Sequence, residues 1–66
     1  MFNETTYLQK LIERKAKVTL YLMNGVQLHG TIVDADQATI LFYCERTNQM
    51  IYKHAISTVR DTTNVF

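Results

Sequence analysis

The sequence predicts a mainly β protein: a short N-terminal α-helix, then a strongly bent five-stranded antiparallel sheet forming a small open barrel. Three observations predict it. Helical spacing of apolar residues occurs once, near the start of the chain. Asn24-Gly25, a strong hairpin signal, separates two β-prone runs. Gly30 then interrupts the second run where a side chain is expected, as small barrels do where a strand bends sharply.

The helix is expected over about residues 6–15. Thr5 or Thr6 is the expected N-cap, and Thr6-Tyr7-Leu8-Gln9 has the form of a capping box. Tyr7 or Leu8 recurs with Leu11 and Ile12 on one side, while Gln9, Lys10, Glu13 and Arg14 take the other. A helix this short is marginal alone and must lie on a sheet. Arg14 and Lys15 suit its C-terminus, where cations meet the negative end of the dipole.

The strands are expected between about residues 17 and 60, with a short tail over 61–66. Val18–Met23 and Val26–Val33 flank the Asn24-Gly25 turn. A two-residue turn sets Met23 opposite Val26, Tyr21 opposite Leu28 and Leu20 opposite His29. Tyr21, Val26 and Leu28 then share a face. Both faces of this hairpin are partly apolar, so one of them needs a neighbour or a ligand. Asp34-Ala35-Asp36-Gln37 is the next turn; its two carboxylates lack the glycine and distal glutamate of a calcium loop, so no metal site is expected. Ala38–Cys44 is apolar on both faces, as a central strand is. Glu45–Asn48 forms a polar loop. Met50–Tyr52 and Ile56–Arg60 are the last strands, and between them Lys53-His54 breaks the alternation as an abrupt corner.

Size and composition point to association. A chain of 66 residues is a single domain at most, and such a domain hides only about 60% of the surface its unfolded chain exposes. Cys44 is the only cysteine, which excludes an intrachain disulfide, and no Cys/His spacing resembles a zinc site. With 47% hydrophobic residues there is more apolar surface than one small core hides. Cys44 itself reads as an inert filler. A net charge of +1 is unlike a basic nucleic-acid coat protein, but Lys10, Arg14, Lys15 and Lys17 face one acid, Glu13, between residues 10 and 17. Around an oligomer that segment becomes a ring of positive potential. No signal peptide or membrane-length apolar run is present, and an unpaired cysteine suits the cytoplasm.

Tyr52-Lys53-His54-Ala55-Ile56-Ser57-Thr58 resembles the second Sm motif of the Hfq family of bacterial Sm-like RNA chaperones. Tyr21-Leu22-Met23-Asn24-Gly25-Val26-Gln27-Leu28-His29-Gly30 resembles that family's first Sm motif, and the similarity runs from about Leu8 to Thr58. The resemblance implies an Sm-like fold and a six-membered ring in which adjacent subunits continue one sheet. It implies binding of single-stranded regulatory RNA and messenger RNA, without bond-making chemistry, cofactor or membrane partner.

Three surfaces follow from the resemblance. On the uridine face, at the pore, Lys53 donates to a uracil carbonyl or phosphate, His54 lines the pore and Gln37 reads or buttresses the base. The residue after that glutamine is usually aromatic in the family, and here it is Ala38, which removes a stacking surface. On the adenine face, Tyr21, Val26 and Leu28 form a purine slot. Gly25, Gln27 and His29 add polar groups there, and Gln49 and Thr58 contact base edges. On the rim, the family's arginine-rich patch corresponds to Ile12-Glu13-Arg14-Lys15, so Arg14 and Lys15 remain and RNA annealing is expected to be weak. Since the sequence runs only to Phe66, the long disordered tail of many members is not expected here.

Two classes of function stand: an RNA-binding ring that prefers adenine-rich tracts, and a structural or adaptor barrel that binds protein through its edge or apolar hairpin face. The plainer reading of Tyr21 and Leu28 is that they pack against a neighbouring subunit. The two histidines join no recognisable nucleophile or metal set, so no enzyme is expected.

Overall fold

Asn3 starts the fold. Its side chain accepts a hydrogen bond from the Thr6 N–H at 3.1 Å and caps a helix, α1, over Glu4–Glu13. The structure, a computed structural model, describes residues 2–63. The expected cap at Thr5 or Thr6 is therefore two or three residues late: the Asn3 side-chain oxygen, just outside the first turn, accepts from the free Thr6 N–H. Helix α1 ends in a left-handed turn at Lys15 (φ 50°). There the Lys15 N–H donates to the Ile12 carbonyl and the Ala16 N–H to the Leu11 carbonyl, at 3.1 and 3.0 Å. Leu8 and Leu11 are buried beneath it, and the apolar contact of this cap is made by buried Ala16.

Five strands follow: β1 (Lys17–Leu22), β2 (Gln27–Ala35), β3 (Thr39–Cys44), β4 (Thr47–Tyr52) and β5 (Ile56–Asp61). They form one antiparallel sheet in the order β4-β3-β2-β1-β5, with α1 against β2. Strand β3 is internal, as its apolar faces require. Strands β4 and β5 are the two edges. The ladder shifts between Ile32 and Asp34 and again between Tyr21 and Leu22, and such bulges bend and twist a sheet. The core lies on one face: Leu8, Leu11, Ala16, Val18, Leu20, Ile32, Ile40, Phe42 and Cys44.

Two turns differ from the sequence reading. Leu20 pairs with Leu28 and Tyr21 with Gln27, so the first hairpin is shifted by one residue. Its loop has three residues, Met23-Asn24-Gly25. The Gly25 N–H donates to the Leu22 carbonyl at 3.0 Å, and Gly25 then takes φ +91°, the left-handed position of a three-residue hairpin. The expected Glu45–Asn48 loop is tighter: Glu45 and Arg46 alone make the turn, both at positive φ (52° and 66°), and Thr47 already belongs to β4. Gly30 is needed for close approach: a Cβ there would run into the Tyr43 carbonyl oxygen, while the nearby bulge lies at Val33. The expected tail also begins later, since Asp61 completes β5 and Thr62 donates to the Lys17 carbonyl. Residues 64–66 of that tail lie outside the described residues.

Candidate nucleic-acid interface

The one-residue shift re-sorts the hairpin. Directly paired residues share a face, so Tyr21 lies with Gln27 on β2 and Thr58 on β5, and Thr19 lies with His29 and Arg60. These six side chains form two rows across β2, β1 and β5, on the side of the sheet away from the core. Leu28 is on the other side, packed against the core, so Tyr21, Val26 and Leu28 do not form one slot within a chain. Val26, at the mouth of the turn, is 45% exposed. Gly25 is in the turn itself. Buried Thr19 bonds His29 Nδ1 through its hydroxyl at 2.9 Å, and Arg60 Nη1 donates to the Tyr21 hydroxyl at 3.4 Å. The sequence reading missed Arg60; only the register, which no motif encodes, brings it beside Tyr21.

Gln49 stands apart from this surface. It pairs with Phe42 and so faces the core side, its amide 3.6 Å from the Cys44 sulfur. With β4 and β5 at opposite edges of the sheet, Gln49 and Thr58 are far apart in the strand order of a single chain.

The Lys53-His54 corner is one turn of 3-10 helix, Lys53–Ala55. It is tied at both ends. The Lys53 N–H donates to the Ala38 carbonyl and the Met23 N–H to the Ala55 carbonyl, each at 2.8 Å. The corner thus joins the Gln37 turn to the tip of the first hairpin. Asp36 holds the Gln37 turn: its Oδ1 accepts from the Thr39 hydroxyl and from the N–H groups of Ala38 and Thr39. Those bonds, the Thr39 hydroxyl first, hold the Asp36 carboxyl below its ordinary pKa of 3.8.

Gln37 and Lys53 line one cleft with the start of α1, where Glu4 and Gln9 also lie. Lys53 Nζ is paired with the Glu4 carboxylate at 3.2 Å, a partner the sequence reading did not assign. The His54 ring stacks on Tyr52, with centroids 5.5 Å apart and planes 15° from parallel. Tyr52 is half exposed, whereas Phe42 is fully buried and can stack on nothing outside the core.

At the rim, Arg14 Nη2 bonds Asp61 Oδ2 at 2.9 Å, and Lys15 occupies the left-handed cap position. The Thr63 N–H and the Arg14 guanidinium together hold the Asp61 carboxyl below its ordinary pKa. Both rim cations therefore have structural work at the end of α1. Among the described residues, no group of His, Cys, Asp and Glu is placed to hold a metal, and no helix is long and apolar enough to cross a membrane.

Known proteins share both sequence and fold. The family model described as "Hfq protein" matches residues 4–66. The RNA-binding protein Hfq of Bacillus cytotoxicus is 48% identical over 59 residues, covering 89% of this chain and 80% of that protein, and the protein of the same name from Bacillus thuringiensis matches equally. A crystal structure described as the pleiotropic translational regulator Hfq superposes with a TM-score of 0.85 at 30% identity, over 86% of this chain and 95% of the other. An Hfq protein from Anabaena sp. superposes with a TM-score of 0.78 at 26% identity, over 86% and 92%. One helix, five antiparallel strands, both Sm-like motifs and near-complete coverage lead to one assignment: the chain belongs to the Hfq family.

Proposed function

We propose that the protein is a single-domain RNA-binding chaperone of the cytoplasm that assembles as a homohexameric ring. In this reading it binds single-stranded regulatory RNA and messenger RNA, prefers adenine-rich tracts, modulates pairing and lifetime, and catalyses no reaction. The observation that carries the reading is the Tyr21 face, where a half-buried aromatic ring lies among Gln27, His29 and Thr58 on a surface the core does not use. Single-stranded RNA is held by this combination, stacking on aromatic rings with polar contacts to base edges. Relatives that are nearly half identical are named RNA-binding proteins.

Two features support assembly. Both sheet edges are unpaired within the chain, and Met50 and Tyr52 on edge strand β4 are 62% and 51% exposed. Head-to-tail pairing of β4 with the next subunit's β5 covers both edges and closes into a ring when the rotation allows. It also brings the Thr58 edge of one subunit beside the β4 edge of the next, so that the adenine face would run across subunit boundaries.

The uridine face is the weaker one in this reading. Ala38 offers no ring, Lys53 is engaged by Glu4, and Tyr52 stacks beside His54 at the corner. Anisotropy titrations with adenine-rich and uridine-rich oligonucleotides of equal length test the proposal. Tighter adenine binding is expected; absence of binding to either leaves the adaptor reading in its place.

A further inference from the structure

The geometry points to Arg60 as an anchor for the RNA backbone on the Tyr21 face, an inference that rests on the adenine-face reading above. Arg60 is exposed on edge strand β5, one row from Tyr21, and its guanidinium lies at the polar rim of the Tyr21 ring through the 3.4 Å contact. A base stacked on that ring carries its sugar and phosphate at the ring's periphery, where the guanidinium sits. Among the described residues no carboxylate pairs with Arg60. Its sequence neighbour Asp61 points to the other side of the strand and is bonded to Arg14 and the Thr63 N–H. The positive charge of Arg60 is therefore available.

His29, across Thr19 in the same row, is exposed and held at 2.9 Å through Nδ1 by the Thr19 hydroxyl, which leaves its other ring nitrogen without a side-chain partner among the described residues. A planar fork of N–H donors beside an aromatic ring, with an oriented imidazole along the row, suits a phosphodiester. A bland role is also open to an edge-strand arginine, that of a charge that blunts unwanted strand pairing. The two roles differ in what they do to salt dependence.

The test is binding of an adenine-rich oligonucleotide to the assembled protein and to Arg60→Gln and Arg60→Lys, measured across a salt series with assembly checked by native mass. Each phosphate contact to single-stranded nucleic acid contributes about 0.7 to the slope of log K against log salt. Arg60→Gln is expected to lower the slope by about that amount per engaged subunit and to weaken binding about three- to ten-fold at low salt. Arg60→Lys should keep the slope and lose only part of the affinity. An unchanged slope and affinity in Arg60→Gln overturns the inference while leaving RNA binding intact. Loss of assembly in Arg60→Gln overturns it too, by making Arg60 an interface residue. Failure of the unmutated protein to bind the oligonucleotide removes both this inference and the reading beneath it.

Discussion

Tyr21 stands between Gln27 and Thr58 with its hydroxyl turned toward Arg60, so its ring is oriented before any ligand arrives. Tyr21→Ala should weaken adenine-rich RNA by about 1–3 kcal/mol per base stacked, with the ring assembly unchanged by native mass. Equal affinity together with lost assembly would instead make Tyr21 an interface residue. On the proposed uridine face two residues are expected to limit binding. Ala38 is exposed, so a ring placed there need not enter the core, and Ala38→Phe should raise uridine-rich affinity selectively. Glu4→Gln should free Lys53 and strengthen uridine-rich binding about two- to five-fold, the scale of an exposed ion pair. The same anisotropy titration reads both; a rise in adenine-rich affinity of equal size would show a general charge effect and not a change at the uridine face.

At the scale of elements, what was legible in the sequence was whatever rested on periodicity and on chemistry local to a turn. The helix, five strands, the corner at Lys53-His54 and the internal place of β3 all follow from apolar spacing. Register did not, because Asn24-Gly25 fits a two-residue or a three-residue loop, and one residue of slip exchanges the faces. That slip moves Leu28 to the face opposite Tyr21, while Arg60 comes beside Tyr21 through the β1–β5 pairing, which no turn or motif encodes. The two-residue Glu45-Arg46 turn is not legible in the sequence, because neither residue advertises positive φ. Lys15 is a similar case, a non-glycine residue in a left-handed helix cap, where a Cβ is costly. Lys15→Gly should raise stability by about 0.5–1 kcal/mol in chemical denaturation at fixed protein concentration; a loss would mean the lysine side chain contributes more than its backbone costs. Asp36 fixes the turn that carries Gln37 and Ala38. Because folding lowers its pKa, its stabilising contribution is complete above its ordinary value of 3.8 and is lost as pH falls through the lowered one. Asp36→Asn should flatten that acid limb of the stability curve, and an unchanged limb would assign it to Asp61 instead.

For the whole molecule, the described chain leaves much unfinished: two unpaired sheet edges, and an exposed Met50 and Tyr52 on one of them. A ring resolves all of these together. Ile56 is a poor probe of it, since it packs against the core and Ile56→Lys would disturb folding as well as assembly. Native mass spectrometry of the unmutated protein at micromolar concentration, with and without an adenine-rich oligonucleotide, tests the central claim most directly. The account predicts a six-subunit assembly that takes up the oligonucleotide intact; a stable, folded monomer, or a hexamer that leaves the oligonucleotide free, would contradict it.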